Sequence, residues 1–386
     1  MLKPLRIAVI GAGTAGLACA ICLAQREQSV VVFEKHAAVA PVGAGILMQP
    51  AGVRALDALG CGDAFRAVGS PIHRLQAHNH RDQRLADIPY DAPDYAYGVA
   101  RGDLTELLQA RARALGVRFE LGTQVDRLVD MPGGPLVVLA SNGTGAPSWS
   151  AAFDAVVLAC GSNSLLAAAA GFGAAPEPYA WGALNGIVLV DDWLHPSELR
   201  QRVHGAGRMM GLLPSGRAGD KLKLSVYWSL PVSEYQAWRD RDWPDFVQEA
   251  TTLWPAAAGV LAQLNREDLA FARYRHAMPG TYARGRVALA GDAAHAMSPQ
   301  LGLGSTLALE DARVLARRLT LAPDVASGLA EYSAARRPAA RNKQRISKLL
   351  TPLFQSHLPA WARDPLFIVG QHIPGMDRLM AYSLGS

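Results

Sequence analysis

Six residues near the N-terminus, Gly11-Ala12-Gly13-Thr14-Ala15-Gly16, constrain the fold of this chain more than any other segment. An apolar, β-branched run at 5–10 precedes them, and helical periodicity follows at 14–26. In this strand-turn-helix context the pattern is typical of dinucleotide binding, because the glycines permit a tight turn, a close approach of the pyrophosphate, and close packing of helix on strand. The helix N-terminus adds unpaired N–H groups for the phosphates. We assign all six residues to cofactor binding.

A second apolar run at 29–34 completes a βαβ unit, which we expect to be a right-handed parallel crossover. The run ends in Glu34, eighteen residues after Gly16, where a carboxylate can accept hydrogen bonds from ribose hydroxyls and would repel a 2′-phosphate. Glu34 and the adjacent Lys35 are therefore assigned to the cofactor site. This fingerprint alone does not separate FAD from NAD.

Length and charge bound the class of protein. The 386 residues predict two domains with a large apolar core. The net charge of +5 favours anionic partners, and a phosphate-bearing cofactor satisfies that preference, whereas the scattered basic residues do not predict nucleic-acid binding. Without an uninterrupted apolar run of about 18 residues, stable membrane insertion is not predicted. The early glycine fingerprint favours a cytoplasmic protein over a secreted one, and self-association into a homodimer is left open.

Neither the cysteines nor the histidines predict a metal site. Cys19 and Cys22 form a C-x-x-C inside the first helix with no second pair, so we expect buried small side chains. His78 and His80 would share one face of a strand, yet no third ligand accompanies them. A solvated hairpin tip is the expected environment of the two histidines.

In the middle of the chain, strands at 184–191, 208–213 and 222–228 follow one another without helices. Such a run inside an α/β chain predicts an inserted sheet that forms the wall of a substrate pocket. Helical segments are predicted at 232–264. The candidate pocket residues are Met209, Tyr227 and Trp228, although core packing explains each of them equally well.

Further elements complete the prediction. From 300 onward we predict almost continuous helix, broken at Pro338, Pro352 and Pro374. The other predicted elements are a helix at 101–115, strands at 117–121, 123–130, 135–140 and 286–290, and a turn at Asn142-Gly143.

A second fingerprint lies at 286–306. Its strand ends at Gly291, Asp292 follows at once, and a glycine-rich turn from Gly302 opens a long helix. An acid so placed can bind a polyol hydroxyl. The helix start aims N–H groups and a dipole at negative charge, such as that on the N1–C2=O edge of a reduced flavin. This second fingerprint indicates FAD.

With these motifs the chain resembles the class A flavoprotein monooxygenases, the p-hydroxybenzoate hydroxylase-like aromatic hydroxylases, from residue 5 to about 345. The motifs that carry the resemblance are the glycine fingerprint with Glu34, the Gly43-Ala-Gly45-Ile46 segment, Arg101 before a helix, and Gly-Asp-Ala-Ala-His at 291–295. The resemblance implies that Arg101 contacts the FAD phosphate region, Val125 the adenine, and Asp292 the ribityl chain. The further cofactor residues that it implies are Gly45, Gly161, Gly291, Pro299, Gly302, Leu303, Gly304, Ser305 and Thr306.

The resemblance also implies the fold class. It is α/β, with a Rossmann-type FAD-binding domain interleaved with a mixed or antiparallel β-sheet substrate domain and a C-terminal helical region. The expected boundaries are 1–70, 96–175 and 279–320 for the FAD-binding domain, 71–95 and 176–278 for the substrate domain, and 321–386 for the helical region.

The implied chemistry is reduction of FAD by NADPH or NADH, reaction with O₂ to a C4a-hydroperoxide, and transfer of one oxygen atom to a small aromatic or heteroaromatic substrate. Pro299 is expected to flank the ring and help keep the site dry. His295 is the candidate general base, although its place in the flavin-loop motif favours a structural role. Pro299 and His295 are the candidate catalytic residues.

Two departures from the family pattern bear on this chemistry. Cys160, before Gly161, replaces an aspartate that the family associates with both FAD and nicotinamide binding. Leu303, Ser305 and Thr306 replace the usual residues of the flavin turn.

Three alternatives stay open. The first is a flavin oxidoreductase or monooxygenase supplied with reduced flavin by a partner, which Cys160 favours. The second is a halogenase, although the chain lacks a Trp-x-Trp-x-Ile-Pro segment. The third is a flavin-binding module without catalysis.

A basic stretch precedes apolar and aromatic residues that extend to about 369, and it consists of Arg336, Arg337, Arg341, Lys343, Arg345 and Lys348. A solvated helix end is the main interpretation of this stretch. Docking on a membrane surface is the alternative.

Overall fold

The computed structural model describes residues 4–38, 45–131, 136–141, 147–173 and 176–370. The strands are β1 (Arg6–Ile10), β2 (Ser29–Glu34), β3 (Gly45–Met48), β4 (Ser70–Ile72), β5 (Arg74–Asn79), β6 (Arg84–Pro89), β7 (Ala96–Ala100), β8 (Arg118–Leu121), β9 (Gln124–Asp130), β10 (Leu136–Ser141), β11 (Pro147–Phe153), β12 (Ala155–Leu158), β13 (Glu177–Val190), β14 (Glu198–His204), β15 (Arg208–Ala218), β16 (Lys221–Pro231), β17 (Ala270–His276), β18 (Ala283–Arg284) and β19 (Val287–Leu289). The helices are α1 (Thr14–Ala24), α2 (Pro50–Ala58), α3 (Gly62–Val68), α4 (Arg101–Ala114), α5 (Leu166–Ala169), α6 (Tyr235–Asp240), α7 (Trp243–Leu253), α8 (Ala258–Leu261), α9 (Asp292–His295), α10 (Gly304–Leu321), α11 (Val325–Phe354) and α12 (Ala360–Gly370).

The first sheet has the strand order β18-β19-β12-β1-β2-β8, and its strands run parallel except for the β18–β19 pair. Its central strands are β-branched and buried on both faces, as parallel strands covered by helices must be. Helix α1 packs against α4 and α10 on this sheet. The predicted βαβ unit is confirmed, with β2 at the predicted residues and α1 ending two residues early.

The second sheet is mixed and has the order β17-β13-β16-β15-β14-β5-β6. Its pairs are antiparallel except for β14 with β5, which lies about 120 residues earlier in the chain. Strands were predicted at the positions of β13, β15 and β16, and the structure extends each of them. Strand β14 was missed because its sequence, Glu-Leu-Arg-Gln-Arg-Val-His, offers only Leu199 and Val203 as an apolar side.

The two faces of this second sheet have different partners. Helices α6, α7 and α8 cover one face with a cluster that includes Trp228, Trp238 and Phe246. On the other face, Gly45 of β3 lies so close to Ser215 and Ser225 that a β-carbon would overlap them. The second sheet therefore lies between a helical layer and the three-stranded sheet β3-β7-β4. The predicted fold class is confirmed, while the exact domain boundaries stay a prediction.

The C-terminal part is helical, but the predicted breaks at Pro338 and Pro352 are wrong. Both prolines lie inside α11, which runs for 30 residues. A proline removes one backbone hydrogen bond, and here the packing of α11 against α10 continues the helix past it. Pro374, Gly43 and the Asn142-Gly143 pair lie outside the described residues. Within the described ranges, no helix is both long and apolar enough to cross a membrane.

The other predicted elements are found close to their predicted positions. These are α4, α6, α7 and α8 among the helices, and β8, β9, β10 and β19 among the strands. Cys19 and Cys22 are buried free thiols, as expected, and burial raises the pKa of Cys22 to about 12. His78 is the last residue but one of β5, and His80 lies in the turn before β6. Among the described residues no cluster of His, Cys, Asp and Glu suits a metal ion.

Candidate active site

The first glycine turn has the geometry that close approach to a phosphate requires. Gly11 has a φ of +105°, and a β-carbon there would lie 2.5 Å from the carbonyl oxygen of Ala159. A β-carbon on Gly16 would overlap the carbonyl oxygen of Gly11. Gly13 is exposed, and a β-carbon on it would meet nothing within 4 Å. The packing of the protein therefore requires glycine at positions 11 and 16. At Gly13 the protein leaves open space in front of the turn, where a ligand can approach the backbone.

Glu34 lies below this turn at the end of β2. One of its carboxylate oxygens accepts a hydrogen bond from the Ala12 N–H at 2.9 Å, and the other accepts from the His36 N–H at 3.0 Å. The His36 Nδ1 lies 2.7 Å from the latter oxygen. Burial opposes ionisation, but these hydrogen bonds outweigh it and lower the pKa of Glu34. Sequence reasoning missed His36, while the side chain of Lys35 is exposed beside it.

The two fingerprints touch each other. Gly291 has a φ of +61°, and a β-carbon there would lie 2.5 Å from the β-carbon of Ala15. Asp292 follows as the exposed first residue of α9. A β-carbon on Gly304 would lie 3.9 Å from an Asp292 carboxylate oxygen. Asp292 thus borders both the first glycine turn and the turn that opens α10.

His295 lies in the interior and takes part in a charged network. Its side chain is fully buried, and its Nε2 lies 2.6 Å from Oδ2 of buried Asp311. The same oxygen accepts a hydrogen bond from the Gly291 N–H at 3.0 Å. The other carboxylate oxygen of Asp311, Oδ1, accepts one from Nε of Arg336 at 2.8 Å. Burial disfavours a charged imidazole, but Asp311 outweighs it and raises the pKa of His295.

This placement supports the structural role that the motif already favoured for His295 over the role of a general base. The ring is fully buried and its Nε2 is held by Asp311, so His295 is better placed to position the Gly291 turn than to meet a substrate. The motif pointed to this segment, but its partners Asp311 and Arg336 come from two different helices. Local sequence patterns do not reveal that these two helices bring Asp311 and Arg336 to His295.

The loop from 298 to 306 divides into exposed and buried residues. Pro299 and Gly302 are exposed, and Gly302 has a φ of +61°. Leu303 and Thr306 are buried, with exposures of 1% and 0%. Thr306 Oγ1 lies 3.9 Å from the sulfur of Met48. Two of the three unusual residues of this turn therefore fill the protein interior, and the open side of the loop is formed by Pro299 and glycine backbone.

The remaining predicted cofactor residues lie around these turns. Arg101 is the exposed first residue of α4. Val125 belongs to β9, at the outer edge of the three-stranded sheet β11-β10-β9. Cys160 lies against the first glycine turn, with its Cα 3.1 Å from the position of a β-carbon on Gly11, and the neighbouring Gly161 has a φ of +74°.

A row of side chains crosses the second sheet on the face that meets β3. The register places Asn185, Tyr227, Gly211 and Gln201 side by side on four adjacent strands. The Tyr227 ring lies across Gly211, and its hydroxyl is hydrogen-bonded to Gln201. Burial raises the pKa of Tyr227, and it raises that of nearby Tyr274 to about 12. Both side chains therefore stay protonated at neutral pH.

The three predicted pocket residues are not brought together. Tyr227 lies on the face of the second sheet that meets β3. Trp228 is 3% exposed and lies in the helix-covered cluster on the opposite face of that sheet. Neighbouring residues of a strand alternate between faces, so the structure places Trp228 in core packing, the alternative given equal weight for it from the sequence. Met209 lies on the Tyr227 face, where it packs beneath α12. Sequence reasoning missed Gln201 and Gly211 because their partnership with Tyr227 depends on register.

Comparison with known proteins agrees with this geometry. The family model described as "FAD binding domain" matches residues 5–347. The chain belongs to this family of FAD-dependent aromatic hydroxylases. It is 30% identical over 339 residues to an FAD-dependent urate hydroxylase of Klebsiella pneumoniae, covering 85% of each chain. It is 31% identical over 405 residues to a salicylate hydroxylase of Pseudomonas putida, covering 96% of this chain and 89% of the other.

A crystal structure shows the same fold with its cofactor. The Klebsiella pneumoniae protein crystallised with FAD and uric acid is 23% identical, covers 98% of this flavoprotein and 96% of its own chain, and superposes with a TM-score of 0.80. The resemblance to class A flavin monooxygenases is thereby confirmed, and FAD is the cofactor of the family. The open side of Gly13 and the exposed carboxylate of Asp292 suit the pyrophosphate and polyol of FAD.

Proposed function

We propose that this flavoprotein inserts one oxygen atom from O₂ into a small aromatic or heteroaromatic substrate. The contact between Gly291 and Ala15 carries the proposal, because it joins a phosphate-binding turn to an acid-glycine turn that suits a flavin. The relatives named for urate and salicylate support a flat, polar ring as the substrate class. NADPH or NADH is the proposed electron donor.

Each part of the chain has a proposed role toward FAD. The backbone of Gly11, Gly13 and Gly16 holds the pyrophosphate together with the α1 N-terminus. Glu34 accepts hydrogen bonds from the ribose, and Asp292 accepts them from the polyol chain. The further proposed contacts are Arg101 with the phosphates, Val125 with the adenine, and Lys35, Gly45, Gly161 and the 302–306 turn with the remainder of the cofactor.

The sheet face that carries Tyr227 is the proposed substrate wall. Bound FAD supplies the redox and oxygen-transfer chemistry. The chain orients the substrate and excludes water, with Pro299 beside the ring and Tyr227, Gln201 and Asn185 offering hydrogen bonds. Because burial keeps the Tyr227 phenol protonated, it acts as a hydrogen-bond partner and not as a base.

Turnover with isotopically labelled O₂ tests this function. FAD-loaded protein is mixed with NADPH or NADH and a panel that includes urate, salicylate and hydroxylated heteroaromatics. We expect substrate-stimulated nicotinamide oxidation and one labelled oxygen atom in the product. Oxidation of the nicotinamide that no aromatic compound stimulates, with no labelled product, would contradict the proposal.

Cys160 favours a second candidate, in which a partner supplies the reducing equivalents. It replaces the expected aspartate and lies against the Gly11 turn. Under this alternative neither nicotinamide bleaches the flavin, but photochemically reduced protein still hydroxylates the substrate. A cytoplasmic location and a homodimer remain predictions.

A further inference from the structure

Helix α12 presents an apolar face that no described residue covers. Trp361, Leu366 and Val369 on this face are 81%, 56% and 63% exposed. Pro365 is exposed between them. At 100° per residue, these four side chains lie within an arc of about 140°. The charged residues of the helix, Arg363 and Asp364, are buried and pair at 3.1 Å, so they do not interrupt that face.

The orientation of α12 is fixed by contacts on its other side. Phe367 and Ile368 pack with Met209 and its neighbours on the second sheet. Asp364 accepts a hydrogen bond from the Asn79 amide at 2.8 Å, and Arg363 donates to the Leu353 carbonyl at 2.8 Å. The apolar face is therefore held outward by a buried polar anchor.

The helix that precedes α12 carries positive charge. The sequence from 332 to 363 contains no Asp or Glu. Arg345 and Lys348 are exposed on α11, beside Leu349, which is 78% exposed. The Arg363–Leu353 hydrogen bond ties α12 to the C-terminal end of this same helix.

We propose that these residues form a peripheral docking surface for a bilayer that contains anionic lipids. The docking surface consists of Arg345, Lys348, Leu349, Trp361, Pro365, Leu366 and Val369. Apolar side chains with a tryptophan enter the interfacial layer, and the flanking basic side chains meet lipid phosphates. A second copy of this chain fits less well, because a two-fold contact would bring like charges together. The proposal is independent of the function proposed above.

Sedimentation with vesicles tests the docking surface in the full-length, FAD-loaded protein. We expect binding to phosphatidylcholine vesicles that contain phosphatidylglycerol, and much weaker binding to phosphatidylcholine alone. R345Q/K348Q should lower binding on the order of twentyfold, since each basic residue contributes roughly fivefold. W361E/L366E should abolish binding. The matched control is L194E, since Leu194 is 77% exposed in a different part of the chain and its variant should bind as the wild type does.

Two further measurements distinguish loss of the docking surface from a disturbed fold. Retained FAD absorbance and an unchanged melting temperature in W361E/L366E show that lost binding comes from the surface itself. No vesicle binding by the wild-type protein overturns the proposal, as does equal loss in L194E. A wild-type dimer that W361E/L366E converts to a monomer also overturns it, because the face would then be an interface between two copies.

Discussion

Gly291 and Ala15 are in contact, although 276 residues separate them: a β-carbon on Gly291 would lie 2.5 Å from that of Ala15. The contact joins the turn after β19 to the first turn of α1, and both segments follow the carboxyl ends of strands in the same parallel sheet. Ligands of such folds bind at the carboxyl ends of the strands. The pair therefore fixes the distance between the phosphate-binding and polyol-binding parts of the site.

Two glycines of the first turn should respond differently to alanine. In Gly13→Ala the new methyl meets no protein atom, so the melting temperature of the apo protein should stay the same. The methyl blocks close approach of the pyrophosphate, and FAD affinity should fall by about tenfold or more, the loss of one charge-assisted hydrogen bond. Gly16→Ala is the matched control: its methyl overlaps the Gly11 carbonyl, so it should lower stability as well. Calorimetry and FAD titration distinguish the two, and equal destabilisation would contradict the assignment.

The buried His295–Asp311 pair predicts a pH dependence of stability. The folded-state pKa of His295 is raised, so its stabilising contribution is complete below the unfolded pKa of about 6.5. That contribution is lost as pH rises through the folded-state pKa. The stability difference between wild type and His295→Gln should therefore narrow as the pH rises above about 6.5, as measured by urea unfolding. A constant difference would indicate a neutral imidazole in the folded protein.

Asp311→Asn provides a second test of the same network. It removes the carboxylate that pairs with His295 and one of the two that pair with Arg336, which also contacts Glu310 at 2.8 Å. The loss should cost about 3–5 kcal/mol of unfolding free energy. Because asparagine has nearly the same shape as aspartate, the lost stability reports the removed charge and not a change in packing. A loss below about 1 kcal/mol, the value of an exposed pair, would contradict a charged network.

The two fingerprints were predictable from sequence because each depends on neighbours within about twenty residues. Gly11, Gly13 and Glu34 follow one another along a βαβ unit, so local spacing suffices to place them. Asp311 and Arg336 reach the Gly291 turn from α10 and α11, and no local pattern encodes their meeting. At Pro338 the local sequence predicted a helix end that the structure does not have, because the packing of α11 continues the helix past the proline.

The substrate face was less predictable for a related reason. Tyr227 was identified, but its partners Gly211 and Gln201 lie on two other strands whose register sequence does not reveal. A one-residue change in register exchanges the faces, so the sequence could not decide whether Tyr227 or Trp228 packs in the core under the helices. Strand β14, which carries Gln201, was itself missed.

Tyr227 and Trp228 provide a matched pair of variants. Tyr227→Phe removes the hydroxyl that bonds Gln201 and should raise the substrate KM about three- to tenfold with little loss of stability. Trp228→Ala should cost about 3–5 kcal/mol of stability because the side chain is buried under α7. Steady-state kinetics and urea unfolding separate these effects. An unchanged KM in Tyr227→Phe would remove Tyr227 from the proposed substrate wall.

Gly211→Ala examines the same wall without touching the tyrosine. The new methyl would overlap the Tyr227 ring and displace it from Gln201. Its KM should therefore change in the same direction as that of Tyr227→Phe, and the double variant should add little to either single change. Fully additive effects would show that the two residues act separately.

FAD binding by wild type and Asp292→Ala tests the central claim most directly. Purified wild type should carry a flavin absorbance spectrum or acquire it with FAD, whereas Asp292→Ala should keep its circular dichroism and lose most of the FAD. Because Asp292 is exposed, its removal should not unfold the protein. Colourless wild-type protein that FAD cannot reconstitute, or near-normal occupancy in Asp292→Ala, would contradict the assignment of the paired fingerprints to a flavin site.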